Sequence, residues 1–142
     1  MSHQDAIRIV LVGTQHPGNI GSAARAMKTM GLANLVLVAP KRYPDPEATA
    51  LAAGAADILE QAQVVSSVQE ALAGCTYVIG TSSRERAVVL PELWPRQAAS
   101  ELVDKSTRSP VALLFGPERT GLENEELQLC HARVFIPCNP DY

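Results

Sequence analysis

The sequence predicts an α/β protein: a parallel sheet with helices on both faces. Two observations lead there. Short, nearly continuous apolar runs alternate along the chain with stretches of helical spacing, the pattern of strands buried on both sides and joined by helical crossovers. Four of the segments that follow apolar runs, 13–19, 80–86, 116–121 and 137–142, are rich in Gly, Pro, Ser, Asn or Arg. In parallel sheets, ligands bind beyond the carboxyl ends of the strands, where such loops lie.

Taken in order, Ile7–Val12 (IRIVLV) reads as the first buried strand. Ile20, Ala23, Ala24, Met27 and Met30 recur at helical spacing, Asn19 stands where a helix N-cap belongs, and Gly31 ends the helix. Leu35–Val38 is a second strand, closed by Ala39-Pro40. The alanine-rich stretch Pro46–Leu59 reads as one helix, Val64-Val65 as a short strand, and Val68–Ala73 as a short helix stopped by Gly74. Tyr77–Gly80 is a strand running into TSSRER. Prolines punctuate 84–110, with a helix near Pro95–Val103. Val111–Phe115 is a strong strand, followed by GPERTG and a helix through LENEELQLC, and Val134–Ile136 is the last strand. No internal repeat or low-complexity tract interrupts this order, and 1–142 reads as one domain with room for one core.

Bulk properties narrow the class. A hydrophobic fraction of 46% with 19% charged residues is ordinary for a soluble globular protein. No apolar run approaches the ~20 residues that span a bilayer, and the N-terminus lacks the basic-then-apolar order of a signal peptide. Cys75, Cys130 and Cys138 are odd in number and have no CxxC spacing, which fits free thiols in a reducing cytoplasm. The net charge of −3 argues mildly against nucleic-acid binding. The bases, however, concentrate at Arg25/Lys28, Lys41/Arg42 and Arg84/Arg86, so a local basic patch remains open. None of His3, His16 and His131 has metal-ligand spacing with a cysteine or an acid, and no metal site is expected.

The glycine loops exclude two nucleotide sites. Gly13 to Gly18 has the G-x-x-x-x-G spacing of a triphosphate loop, but Asn19-Ile20 follow where Lys and Ser/Thr must stand. Gly116 to Gly121 repeats the spacing and continues into Leu122-Glu123. A dinucleotide loop needs G-x-G-x-x-G, and only the pair Gly18 and Gly21 is present. What remains is a helix with Gly21, Arg25 and Lys28 spaced i, i+4, i+7, on a face away from the apolar stripe. Arg suits a phosphate or a developing oxyanion. The same pattern also suits a solvated helix face with a capping Asn. Likewise Glu118 can serve a ligand at the strand end or the dipole of the following helix.

Together the motifs form an ordered set. N-x-G-x-x-x-R after the first strand, L-x-F-G-x-E-x-x-G-L after a late strand and I-P-C-N-P-x-Y at the end resemble the SpoU branch of the SPOUT superfamily of S-adenosylmethionine-dependent RNA methyltransferases. The likeness covers essentially the whole chain. It is strongest to a group that methylates the ribose 2′-hydroxyl of tRNA nucleotide 32, in the anticodon loop. The resemblance implies a trefoil-knot fold, a homodimer, a tRNA substrate and S-adenosylmethionine as cofactor. It places the first motif on Asn19 and Arg25, the second on Gly116 and Glu118, the middle cofactor loop on Thr81, Ser82 and Ser83, and the third motif's opening on Ile136. In that family the third motif continues beyond the position of Tyr142, so the expectation is a catalytic domain that ends inside its knot.

The implied reaction transfers a methyl group to a ribose oxygen. Arg25 is expected to orient and polarise the hydroxyl and to stabilise negative charge, since a guanidinium is a poor base. Asn19 and Glu118 are expected to hold Arg25 and its loop, and Arg25, Lys28, Arg84 and Arg86 to face RNA. The alternatives are a non-methylating nucleotide-binding α/β enzyme and a non-catalytic RNA-binding module.

Overall fold

The computed structural model describes residues 6–82 and 88–135. Among these residues seven strands, β1 (Ile7–Val12), β2 (Asn34–Val38), β3 (Gln63–Val65), β4 (Tyr77–Ser82), β5 (Glu92–Leu93), β6 (Val111–Phe115) and β7 (Ala132–Phe135), form one sheet in the order β3-β2-β1-β6-β4-β7-β5. Every pairing is parallel. The chain lays down β1, β2 and β3 in one direction, then crosses to β4 and leaves a gap that β6 fills. Ile7 stands opposite Val111 and Leu11 opposite Phe115.

Alternation along β1 shows why both faces need cover. Ile7, Ile9 and Leu11 enter one apolar cluster, while Val10 and Val12 enter the other. The first face is covered by α1 (Pro17–Thr29), α2 (Pro46–Ala52), α3 (Ala56–Gln61) and, further along, α5 (Pro95–Ser106), through Ile20, Met27, Ala48, Ile58, Ala98 and Leu102. The second is covered by α4 (Val68–Ala71), α6 (Asn124–Leu127) and the loops beside them, through Val68, Leu122, Leu127 and Cys130. Arg8 is the charged exception in β1. Its guanidinium donates to the carbonyls of Ala71 (3.0 Å) and Ala73 (2.6 Å), satisfying groups that the end of α4 leaves open.

Several expectations need correction. Helix α1 starts earlier than expected, at Pro17, whose ring suits the first helical position. Its N-cap is His16, not Asn19, and Asn19 lies within the first turn. The expected helix Pro46–Leu59 is broken: a 3₁₀ turn, Ala53–Ala55, separates α2 from α3, with Ala53 at φ 51° just before Gly54. Strand β4 runs on through Thr81 and Ser82. The short edge strand β5 was not expected, and β7 begins two residues before Val134. The helix expected through LENEELQLC is the single turn α6, and Cys130 lies past its end.

The pair Gly18 and Gly21 has a packing role. A Cβ on Gly21 would stand 2.1 Å from the Ala48 carbonyl oxygen, and one on Gly18 would stand 2.7 Å from Leu51 Cδ1. The glycines let α1 close onto α2 at backbone distance. Among the described residues no helix is long and apolar enough to cross a membrane, and no cluster of His, Cys, Asp and Glu could hold a metal. The trefoil knot expected from the resemblance involves the segment after β7, outside the described residues.

Candidate active site at the carboxyl edge of the sheet

The order β1-β6-β4-β7 brings the motifs together. Their strands are neighbours, and because all are parallel their carboxyl ends share one edge. The loop after β1 therefore meets the loop after β6. Gly13, at φ 62°, sits so close that a Cβ there would be 3.2 Å from Pro117 Cγ.

Glu118 joins the two loops. Its carboxylate accepts hydrogen bonds from the backbone N–H of Gln15 (2.9 Å), the backbone N–H of His16 (2.9 Å) and Nδ2 of Asn19 (2.7 Å). Partial burial pushes its pKa up, but the three donors outweigh that and leave it below its ordinary value of 4.5. The carboxylate is thus held ionised just ahead of α1, where negative charge also favours the helix dipole. Gly116 makes the turn possible. A Cβ there would stand 2.3 Å from Gly121 C and Leu122 N, so the loop folds back against its own backbone.

Asn19 and Glu118 are bonded to each other across the two loops, and among the described residues neither is hydrogen-bonded to Arg25. Arg25 is exposed, and its guanidinium makes no hydrogen bond or ion pair among the described residues. Six residues along a helix rotate a side chain about 120° away and about 9 Å down the axis. Ser22 and Ala23 share Asn19's side instead, and they line a cavity of ≈ 430 Å³ together with Met27, Phe115, Asn19 and Glu118. Lys28 is engaged by Asp57, at 2.8 Å. Thr81 and Ser82 are strand residues: Thr81 Oγ1 donates to the Leu114 carbonyl at 3.0 Å, and Ser82 is buried. Ser83, Arg84, Arg86 and Ile136 lie outside the described residues.

Sequence reasoning missed the backbone N–H groups of Gln15 and His16. No side chain announces them, because the chain direction alone points them at Glu118. A family model, the SpoU rRNA methylase family, matches residues 6–142. The chain belongs to the SpoU methylase family. A curated relative, the tRNA (cytidine/uridine-2′-O-)-methyltransferase TrmJ of Sodalis glossinidius, is 57% identical over 136 residues, covering 96% of this chain and 53% of the relative. The chain therefore spans about half the length of that protein. A probable methylase family protein from Haemophilus influenzae has the same fold, with a TM-score of 0.89 and 51% identity over 98% of this chain and 58% of that one. At 21% identity the likeness is one of fold alone: the SpoU methyltransferase AviRb from Streptomyces viridochromogenes, in complex with AdoMet, has a TM-score of 0.66 over 98% of this chain and 51% of that one.

Proposed function

We propose that this chain is the catalytic domain of an S-adenosylmethionine-dependent methyltransferase acting on the ribose 2′-hydroxyl of tRNA nucleotide 32, and that it works as a homodimer in the cytoplasm. The observation that carries the reading is the Glu118 carboxylate, which ties the β6 loop to the start of the helix bearing Arg25, both inside the stretch that the family model matches. The name of the Sodalis relative supports tRNA as substrate and the ribose oxygen as acceptor.

The residues present fit the cofactor. Gly80, Thr81 and Ser82 at the end of β4 and Gly116 after β6 leave small side chains along two adjacent strand ends. The glycines themselves are fixed by the protein's own packing, since an added Cβ would meet Cys130 Sγ at 2.8 Å on Gly80 and Gly121 C at 2.3 Å on Gly116. Thr81, Ser82 and Gly116, with Ser83 and Ile136, would hold the cofactor, which supplies an electrophilic methyl group on a sulfonium. The chain's own part is to hold that edge and to prepare the ribose hydroxyl. Arg25, exposed and without a hydrogen bond or ion pair from its guanidinium among the described residues, presents donors to the hydroxyl and to an adjoining phosphate. There it lowers the cost of the negative charge that builds on oxygen as the proton passes to solvent water or to the adjoining phosphate. The structure gives no reason for Arg25 and Glu118 to act as a pair, so Glu118 is assigned to shaping the loop and Arg25 to RNA.

Transfer of tritiated methyl to unmodified tRNA by the complete protein tests the activity. Arg25→Ala is expected to lower kcat on the order of 10²-fold, with S-adenosylmethionine binding by calorimetry unchanged. Near-normal turnover of that variant would remove Arg25 from the mechanism. Heat on titrating ATP or NAD, with none from S-adenosylmethionine, would favour a nucleotide-binding enzyme of another kind. RNA binding without methyl transfer would make the protein a binding module.

A further inference from the structure

We propose that Trp94 and Arg96 form a second RNA contact at the edge of the sheet, a stacking platform for an unpaired base beside a donor for its phosphate. This rests on the RNA substrate proposed above and adds a site to it. Trp94 is the chain's sole tryptophan, in a sequence with 4% aromatics, yet 77% of its surface is open to solvent. Burying a large ring is favourable, so a lone tryptophan left in water is the residue that needs a partner.

Its backbone is fixed. The Trp94 N–H donates to Gln97 Oε1 at 2.9 Å, its carbonyl accepts from the Ala98 N–H at 2.9 Å, and Pro95 follows at the first position of α5. A ring on an anchored helix start loses little freedom when a base stacks on it. Arg96, also exposed, makes no hydrogen bond or ion pair among the described residues. The ring borders a groove of ≈ 590 Å³ that Arg96, Gln97 and Ser100 also line, so a flat apolar surface, a free cation and amide and hydroxyl groups lie together. Among the described residues the one acid lining it, Glu101, is hydrogen-bonded by Tyr77.

Position adds the decisive point. Trp94 directly follows β5, and β5 is parallel to β7. The Trp94 backbone therefore stands at the same carboxyl edge as Gly116 and Glu118, and the groove that its ring borders leads from there along α5 toward Glu101. Three strand spacings separate β5 from β6, about 14 Å, which equals about four stacked nucleotides of one strand at 3.4 Å each. A single-stranded loop whose target ribose sits over β6 reaches Trp94 with another of its bases. Aromatic stacking with a backbone-directed cation is how unpaired RNA is held without sequence readout.

Subtracting the emission of Trp94→Phe from that of the complete protein isolates the Trp94 signal. An anticodon stem–loop oligoribonucleotide is titrated while Trp94 fluorescence and the anisotropy of labelled RNA are followed together. Expected are saturable quenching that tracks anisotropy, a Kd raised on the order of ten-fold by Trp94→Ala, and substantial recovery in Trp94→Phe. Arg96→Ala should lower the salt slope of binding by about one. S-adenosylmethionine affinity should not move in any variant. RNA that binds by anisotropy without quenching, or an unchanged Kd for Trp94→Ala, overturns the platform and leaves the methyltransferase reading standing. RNA that does not bind at all overturns both.

Discussion

Replacing Glu118 by Gln tests whether one carboxylate holds the two motif loops together. The carboxylate takes three donors, from Gln15, His16 and Asn19. Hydrogen bonds to a charged group contribute about 1.5–3 kcal/mol each when buried, but Glu118 is exposed and water competes, which cuts each to a fraction of that. Glutamine keeps one acceptor oxygen and turns an NH₂ toward a remaining donor. The expected loss is about 1 kcal/mol, or about 3 °C in Tm for a chain of this size. The pH dependence carries the sign. Because the folded pKa lies below 4.5, the stabilisation is fully present above the unfolded value and disappears as pH falls through the folded value. Thermal unfolding of both proteins from roughly pH 7 down to roughly pH 3 should show the gap open at neutral pH and closed in acid. Equal Tm values at neutral pH, or a gap that persists in acid, would refute the assignment of the charge to these three donors.

Three further outcomes follow from contacts elsewhere. Gly21→Ala should destabilise by roughly 2 kcal/mol or more in urea unfolding. The new Cβ meets the Ala48 carbonyl at 2.1 Å, and overpacking of that kind outweighs the ~1 kcal/mol gained in helix propensity. Arg8→Met should cost about 1 kcal/mol by the same measurement, because it removes the donor to Ala71 and Ala73 while keeping the apolar stem. Burial, helped by Glu126, pushes the Cys130 thiol up to about 12. Iodoacetamide at neutral pH should therefore leave it unmodified by peptide mass spectrometry until denaturant is added.

The strands that the sequence announced most clearly are those buried on both faces. Val111–Phe115 is an unbroken apolar run and Ile7–Val12 is interrupted only by Arg8, and both strands have in the structure the limits read from the sequence. Strand β5 has two residues and carries no periodicity at all. The break at Ala53 was hidden because alanines favour helix on either side of it. The motif glycines were visible, but their tasks were not: Gly18 and Gly21 respond to α2, which lies beyond the strand β2. The separation of Arg25 from Asn19 needed only the helical angle, whereas the bond from Asn19 to Glu118 needed the knowledge that β6 lies beside β1. Pairing between strands so far apart in sequence leaves no local mark.

That insertion of β6 also bears on how the protein is made. During synthesis β1 gains β2 as a neighbour early, but its other edge stays unpaired until Phe115 has been added. At ~5–20 residues per second the wait lasts roughly 5–20 s. Through it, a strand of Ile, Val and Leu exposes a row of open N–H and C=O groups, the kind of edge that recruits other chains. Nascent chains stalled or cleaved before β6 should therefore be the aggregating species, and chaperone binding should concentrate on the interval between the two strands.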